Sequence, residues 1–248
     1  MLSMRMIAVL AMASACLAQT EFEVASVKPN TSLSTDSNFN RMPGGGISAI
    51  NVTLRDLITF AYDIRDYQLS GGPNWLGKDR YDLVAKSNHD APAGPQAPFE
   101  EAFRLIRLKM RALLADRFKL AIHTETREMP VYALVIAKNG PQLEESKSQD
   151  LTIHGQTGHL VCKKISMKAF AERALSNRMG RTVVDKTGLS GEFDFEVKYL
   201  EDRGAASSDA SGPDFLTAMQ EQLGLKLEPQ KGPVEVTVVD RAEKASAN

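Results

Sequence analysis

The sequence predicts an α+β fold of two related helix-and-strand units, each a small sheet covered by helices. Three observations lead there. The 248 residues are 43% apolar and 25% charged, the balance of a globular chain with a core. Apolar spacing switches repeatedly between helical and strand periods. Segments of the first half also find counterparts, in the same order, in the second.

The first twenty residues stand apart. MLSMRMIAVLAMASACLAQT has one early cation, Arg5, then an apolar run from Met6 to Ala18 broken only by Ser14. It is too short to span a bilayer and reads as a secretory signal peptide, residues 1–18, leaving Gln19 as the first mature residue. The rival reading, lipidation of Cys16, is disfavoured: Ala13 stands where lipoprotein signals favour leucine. No later segment approaches a membrane span, so the mature chain is expected to be exported and periplasmic or extracellular, with no transmembrane segment. Cleavage would leave Cys162 without a disulfide partner. A net charge of −1 gives no pull towards nucleic acid.

The first unit is placed at 19–146. VTLRDLITFAY (Val52–Tyr62) predicts a helix with Thr53 as N-cap and Leu54, Leu57, Ile58 and Ala61 on its apolar face. RYDLVAK (Arg80–Lys86) alternates as a strand. A second helix follows at Phe99–Asp116. Arg117–Lys138 reads as a helix end, a strand, a turn at Pro130 and a second strand. The second unit, 147–248, repeats this order. ISMKAFAERAL (Ile165–Leu175) has Ser166 as N-cap and Met167, Phe170, Ala171 and Ala174 in matching places. EFDFEVK (Glu192–Lys198) matches Arg80–Lys86, with Asp194 under Asp82. A helix at Asp214–Leu223 leads to Gly224–Arg241, with Pro233 at its turn. Asn88–Pro98, Asn139–Asp150 and Glu201–Pro213 lack apolar periodicity and read as loops.

Motifs give little chemistry. Asp185-Lys186-Thr187-Gly188 has the look of a pump phosphorylation site or a penicillin-binding K-T-G. The chain has no membrane helices for the first and no S-x-x-K or S-D-N for the second. It reads as a turn. His154, His159 and Cys162 are metal-ligand types, but their spacing fits no common closed zinc site and no fourth ligand is evident. They read as loop histidines and a buried cysteine, and no metal or other cofactor is assigned. Arg104, Arg107 and Arg111 recur at helical spacing and could hold an anion; a solvated basic face explains them equally. Asp82, Glu192 and Asp194 could do acid–base work only if a cleft brought them together. Trp75, beside Asn74 in GGPNWLGKDRYDLVA, could be an exposed aromatic anchor or a plug at the end of a core.

FEVASVKPN, GGPNWLGKDRYDLVAK, MRALLADRFKLAIHTETREMPVYALVIAKNGP, VVDKTGLSGEFDF and LGLKLEPQKGPVEVTVVDRAEKASAN together resemble one family. It is the paralogue-rich family of exported "soil-associated" proteins of unknown function, found chiefly in acidobacteria. The resemblance covers almost the whole mature chain and implies no activity or catalytic residue. Some relatives look like the exported portion of membrane sensor-peptidases, which implies sensing or protein contact by analogy. The halves are also similar in pattern to the short N-terminal domains of secretins and TonB-dependent receptors. The expectation is a non-catalytic binding or sensing module of the cell envelope, with another envelope protein as partner. An exported hydrolase with an Asp/Glu–His site, and a periplasmic metal-binding protein, are the alternatives.

Overall fold

The computed structural model describes residues 21–245 apart from 33, 35, 88–98 and 201–211. The signal segment, Cys16, the Asn88–Pro98 loop and most of Glu201–Pro213 therefore lie outside the described residues. The fold is α+β, with helices and strands in several small sheets.

Two compact units divide the chain. One takes the described residues up to Glu125 and those from Glu235 onward; the other is Thr126–Val234. This differs from a division of the sequence at 146/147. The reason is that two long strands, β6 (Ala121–Ile136) and β12 (Leu225–Arg241), each contribute one end to each unit.

In the first unit β1 (Val24–Pro29), β2 (Asn38–Met42), β3 (Gly46–Thr53) and β5 (Arg80–Lys86) form an antiparallel sheet in the order β1-β5-β3-β2. Helix α1 (Leu54–Tyr62) begins at Thr53, whose side chain accepts from the Asp56 N–H while the Asp56 carboxylate accepts from the Thr53 N–H. Its apolar residues Leu54, Leu57, Ile58 and Ala61 are all buried. Helix α2 (Phe99–Arg117) adds Ile106, Met110, Leu113 and Leu114 to the same core, and Phe118 closes on Tyr81 edge-to-face at 5.1 Å. A short strand β4 (Leu69–Gly71) pairs in parallel with Thr237–Val239 of β12.

The second unit has the same plan. Strands β7 (Glu144–Glu145), β8 (Thr152–Gln156), β9 (His159–Ile165) and β11 (Phe193–Lys198) form a sheet in the order β7-β11-β9-β8. Helix α3 (167–179) is capped by Ser166, whose hydroxyl accepts from Ala169 N–H, and carries a π-helical turn at Phe170–Leu175. Short β10 (Val183–Asp185) pairs in parallel with Tyr132–Leu134 of β6. Helix α4 (Phe215–Leu223) is capped by Asp214. Met167, Phe170, Ala171, Leu175, Phe193, Val197, Phe215 and Met219 form the core.

Two sequence expectations need correction. Pro130 and Pro233 do not turn the chain; each lies inside one continuous strand. Both prolines fall outside the three-residue stretches that pair with β10 and β4, so the missing N–H breaks no ladder bond on that side. Strands β2 and β8 were also not foreseen: β2 exposes four of its five residues and β8 all five.

Candidate functional site

The Asp185–Gly188 segment is a turn closed on itself. Asp185 Oδ1 accepts from Thr187 N–H at 2.9 Å and from Thr187 Oγ1 at 2.8 Å, and Thr187 Oγ1 accepts from Leu189 N–H at 3.1 Å. Lys186 N–H donates to Leu134 O. Gly188 and Gly191 take φ of 71° and 100°, which few other residues could.

Asp82 and Asp194 do matching work in their own units. Just before each helix cap the strand bulges, and one residue enters the left-handed region: Asn51 (φ 57°) before α1, Lys164 (φ 50°) before α3. Asp82 Oδ1 accepts from Asn51 N–H at 2.9 Å and Asp194 Oδ1 from Lys164 N–H at 2.8 Å. Asn30 Nδ2 also donates to Asp82 at 2.7 Å, and Ser146 Oγ to Asp194 at 2.6 Å. Ser148 Oγ donates to Asp194 as well, at 2.8 Å. These donors, Ser146 first, hold the Asp194 carboxyl well below the usual carboxylate range. Both carboxylates are thus engaged in fixing a bulge. Glu192 lies apart, exposed in the turn before β11.

Strand parity separates the proposed metal ligands. Cys162 pairs with Ile153 and Phe195 and is buried against the core. His159, three residues earlier on the same unbroken stretch, points to the opposite face, and His154 lies on that face too. His159 Nε2 bonds Glu196 at 2.9 Å and His154 bonds Gln156 at 3.0 Å. Burial pushes the Cys162 thiol up to about 12, so it stays protonated. Among the described residues, no group of three or more His, Cys, Asp or Glu is placed to hold a metal ion.

The arginines of α2 serve α1. Arg111 Nε donates to Ala61 O at 2.8 Å and its guanidinium lies over Tyr62. Arg107 pairs at 2.7 Å with Asp63, the left-handed residue that ends α1. Arg111 thus satisfies a carbonyl at the end of α1, and Arg107 neutralises the carboxylate of the residue that ends it. Arg104 is exposed one turn away. The Trp75 loop is ordered by Leu76 N–H to Pro73 O and by Lys78 and Asp79 N–H to Trp75 O. Trp75 is half-buried against the first core, Asn74 is exposed, and Lys244 lies 5.7 Å from the indole while pairing with Asp79 at 2.5 Å.

Histidine–carboxylate pairs occur outside any deep cavity. His123 Nδ1 bonds Asp240 at 2.8 Å, with Glu125 at 3.8 Å from Nε2, on solvent-facing strand residues. The Asp240 bond raises the His123 pKa, which favours a held cation over a general base.

The open surfaces are sheet edges. In the β1-β5-β3-β2 and β7-β11-β9-β8 sheets one edge is guarded. Strand β1 ends in Lys28-Pro29, and β7 is two residues long. Beyond β7 the Gln222 amide accepts from Lys198 N–H at 3.0 Å and donates to Lys198 O at 2.7 Å, covering the edge of β11. On the other side β2 and β8 are exposed, and β8 (TIHGQ) contains no lysine, proline or bulge. Leu151 and Ile153 there are 45% and 37% exposed. Next to them an open depression of about 380 Å³ is bordered by Leu151, Lys164, Ser166, Ala169, Arg173 and Glu192, among others. A second of the same volume reaches Glu144, Lys163 and Glu196.

The model of DUF3738, proteins of unknown function, matches residues 55–242. The chain belongs to this family. No curated protein and no solved structure matches it significantly. Membership of DUF3738 brings no reaction, ligand or site with it. What the sequence did not signal is β8: its exposed edge is visible only once β9 is paired with β11 on its other side.

Proposed function

We propose that this DUF3738 chain is an exported, non-catalytic binding module of the cell envelope that contacts another envelope protein through sheet edges and the Trp75 loop. The observation that carries this reading is the asymmetry of edge protection. Of the three four-stranded sheets, the two that end in β2 and β8 guard the opposite edge and leave that one without a guarding lysine or proline. An open edge presents unpaired N–H and C=O groups, which an added strand satisfies. No described helix is long and apolar enough to cross a membrane, and the leader sequence supplies the route for export.

We also propose that the halves 19–146 and 147–248 arose by duplication, as in the exported soil-associated family that the sequence resembles. Equal sheet orders, matching caps at Thr53 and Ser166, and matching bulges clamped by Asp82 and Asp194 support this.

The test is a crosslinked pull-down of Gln19–Asn248 from its own envelope fraction, read by quantitative mass spectrometry, with Trp75→Ala and Ile153→Lys as controls. A discrete partner lost in either control is the expected result. No partner at good crosslinking yield, together with turnover of an envelope substrate, would overturn the proposal.

A further inference from the structure

We infer that the open edge of β8, with the depression beside α3 at its Leu151 end, takes an extended, acidic segment of a partner protein as an added strand. This rests on the binding-module reading and names the partner's chemistry and seat.

The two units supply an internal comparison. Aligned on their caps, Thr53 with Ser166, Phe60 of α1 stands where Arg173 stands in α3. Aligned on their bulges, Asn51 with Lys164, Phe39 of β2 stands where Ile153 stands in β8, because Phe39 pairs with Ala49 and Ile153 with Cys162. In the first unit Phe39 and Phe60 stack with centroids 5.2 Å apart, and Phe103 meets Phe60 at 6.1 Å. Aromatic rings thus fill the space between edge strand and helix. In the second unit no ring stands at either position; Ile153 is as exposed as Phe39, both at 37%, and beside Leu151, Ala169 and Arg173 the 380 Å³ depression lies open. The same scaffold is closed in one copy and open in the other.

The surroundings select the occupant. An added strand alternates its side chains between two faces. On the helix side it meets Leu151 and Ile153, and Gly155, having no side chain, leaves room for a bulky apolar group. On the solvent side it meets Thr152, His154 and Gln156, with Lys163 and His159 on the next strand. Strands β8 and β9 contain no carboxylate, and Lys163 sits directly behind Thr152. Two cations, Lys164 and Arg173, and two carboxylates, Asp150 and Glu192, border the depression. On the next strand over, Glu196 shares that solvent side but is held by His159 and Lys198, so the exposed Lys163 sets its sign, and apolar residues alternating with Glu or Asp complement both faces. A second copy docked through β8 would bring its own Lys163 to the same side and no carboxylate from β8 or β9, which favours an acidic partner over self-pairing.

The test uses the exported chain and three fluorescein-labelled octapeptides, alternating valine with glutamate, lysine or serine. Fluorescence anisotropy measures binding, and hydrogen exchange locates it. The glutamate peptide is expected to bind at least about tenfold more tightly than the lysine peptide and to slow exchange at Thr152–Gln156. Arg173→Phe with Ile153→Phe, which rebuilds the closure of the first unit, is expected to abolish binding while circular dichroism stays unchanged. Equal binding of the charged peptides, protection at β2 and not β8, or no binding by any peptide overturns the inference. So does a dimer in sedimentation that Ile153→Lys dissociates, since the occupant is then a second copy. If the pull-down partner is released by Trp75→Ala and kept by Ile153→Lys, the binding-module reading stands and the β8 groove falls.

Discussion

Asp82→Ala tests whether the bulge before α1 depends on its carboxylate. Asn51 is 2% exposed, sits at φ 57° and gives its N–H to Asp82 at 2.9 Å. Removing the acceptor strands a buried N–H, a cost of about 1–3 kcal/mol. The second donor, Asn30 Nδ2 at 2.7 Å, turns to water and adds little. Arg80 still holds Asn51 O at 2.7 Å, and Asn51 Nδ2 still reaches Ser34 O and Asp36 O, so the bulge loosens without dissolving. The net expectation is a loss of about 2 kcal/mol, whereas Asp82→Asn keeps an acceptor oxygen and loses about half as much. Trp75, the chain's only tryptophan, packs on the same core, so urea unfolding followed by its fluorescence reports this unit. An Asp82→Ala midpoint within error of wild type, or equal losses for Ala and Asn, would refute the clamp.

Four further outcomes are expected. The folded Asp194 carboxyl titrates below its ordinary value of 3.8, so its contribution is complete above that value and fades as pH falls through the folded value; Asp194→Asn should flatten acid unfolding of the second unit, seen by hydrogen exchange. The Cys162 thiol, pushed up to about 12 by burial, should not react with a disulfide reagent at pH 8 until urea unfolds the chain. Lys244→Ala should speed acrylamide quenching of Trp75, since it removes the ammonium 5.7 Å from the ring and its tie to Asp79. Gly180→Ala and Gly224→Ala both place alanine at a left-handed helix end (φ 58° and 65°), costing about 1–2 kcal/mol. Gly224→Ala should cost more in thermal unfolding, because its Cβ would run into Gly140 O while nothing approaches Gly180 within 4 Å.

Much of the fold was legible because its signals are local. Thr53, Ser166 and Asp214 precede apolar residues at helical spacing, and each caps its helix. Arg80–Lys86 and Phe193–Lys198 alternate cleanly because one face of each is buried. Strand β8 was not legible: with no buried residue it carries no alternation, and only pairing with β9 makes it a strand. Pro130 and Pro233 misled for a related reason. Whether proline breaks a strand depends on which neighbours flank it, and that is set far away in sequence. The candidate site suffered most. Trp75 and the arginines stood out as residue types, yet Arg107 and Arg111 finish a helix end that lies about fifty residues earlier in the chain.

Comparison of the two units separates scaffold from specialisation. Where they agree, the residues have structural work: Asp82 and Asp194 clamp a bulge, Thr53 and Ser166 cap a helix. Such positions are poor candidates for function because the fold already uses them. Where they differ, the difference runs one way. Asn51 spends its amide on Ser34 O and Asp36 O, while Lys164 at the same bulge sends an ammonium to Gln149 O at 2.8 Å and brings charge to the mouth of the groove. Phe39 and Phe60 close the first groove; Ile153 and Arg173 leave the second open. Of these three differences, Lys164 and Arg173 each bring a cation, and Ile153 and Arg173 together remove the ring pair. On the duplication proposed above, an acidic strand seated at β8 gives these differences a common reason. On that argument the first groove should ignore the glutamate peptide until Phe39 and Phe60 are both cut back to alanine, and even then bind it weakly for want of a counterpart to Arg173.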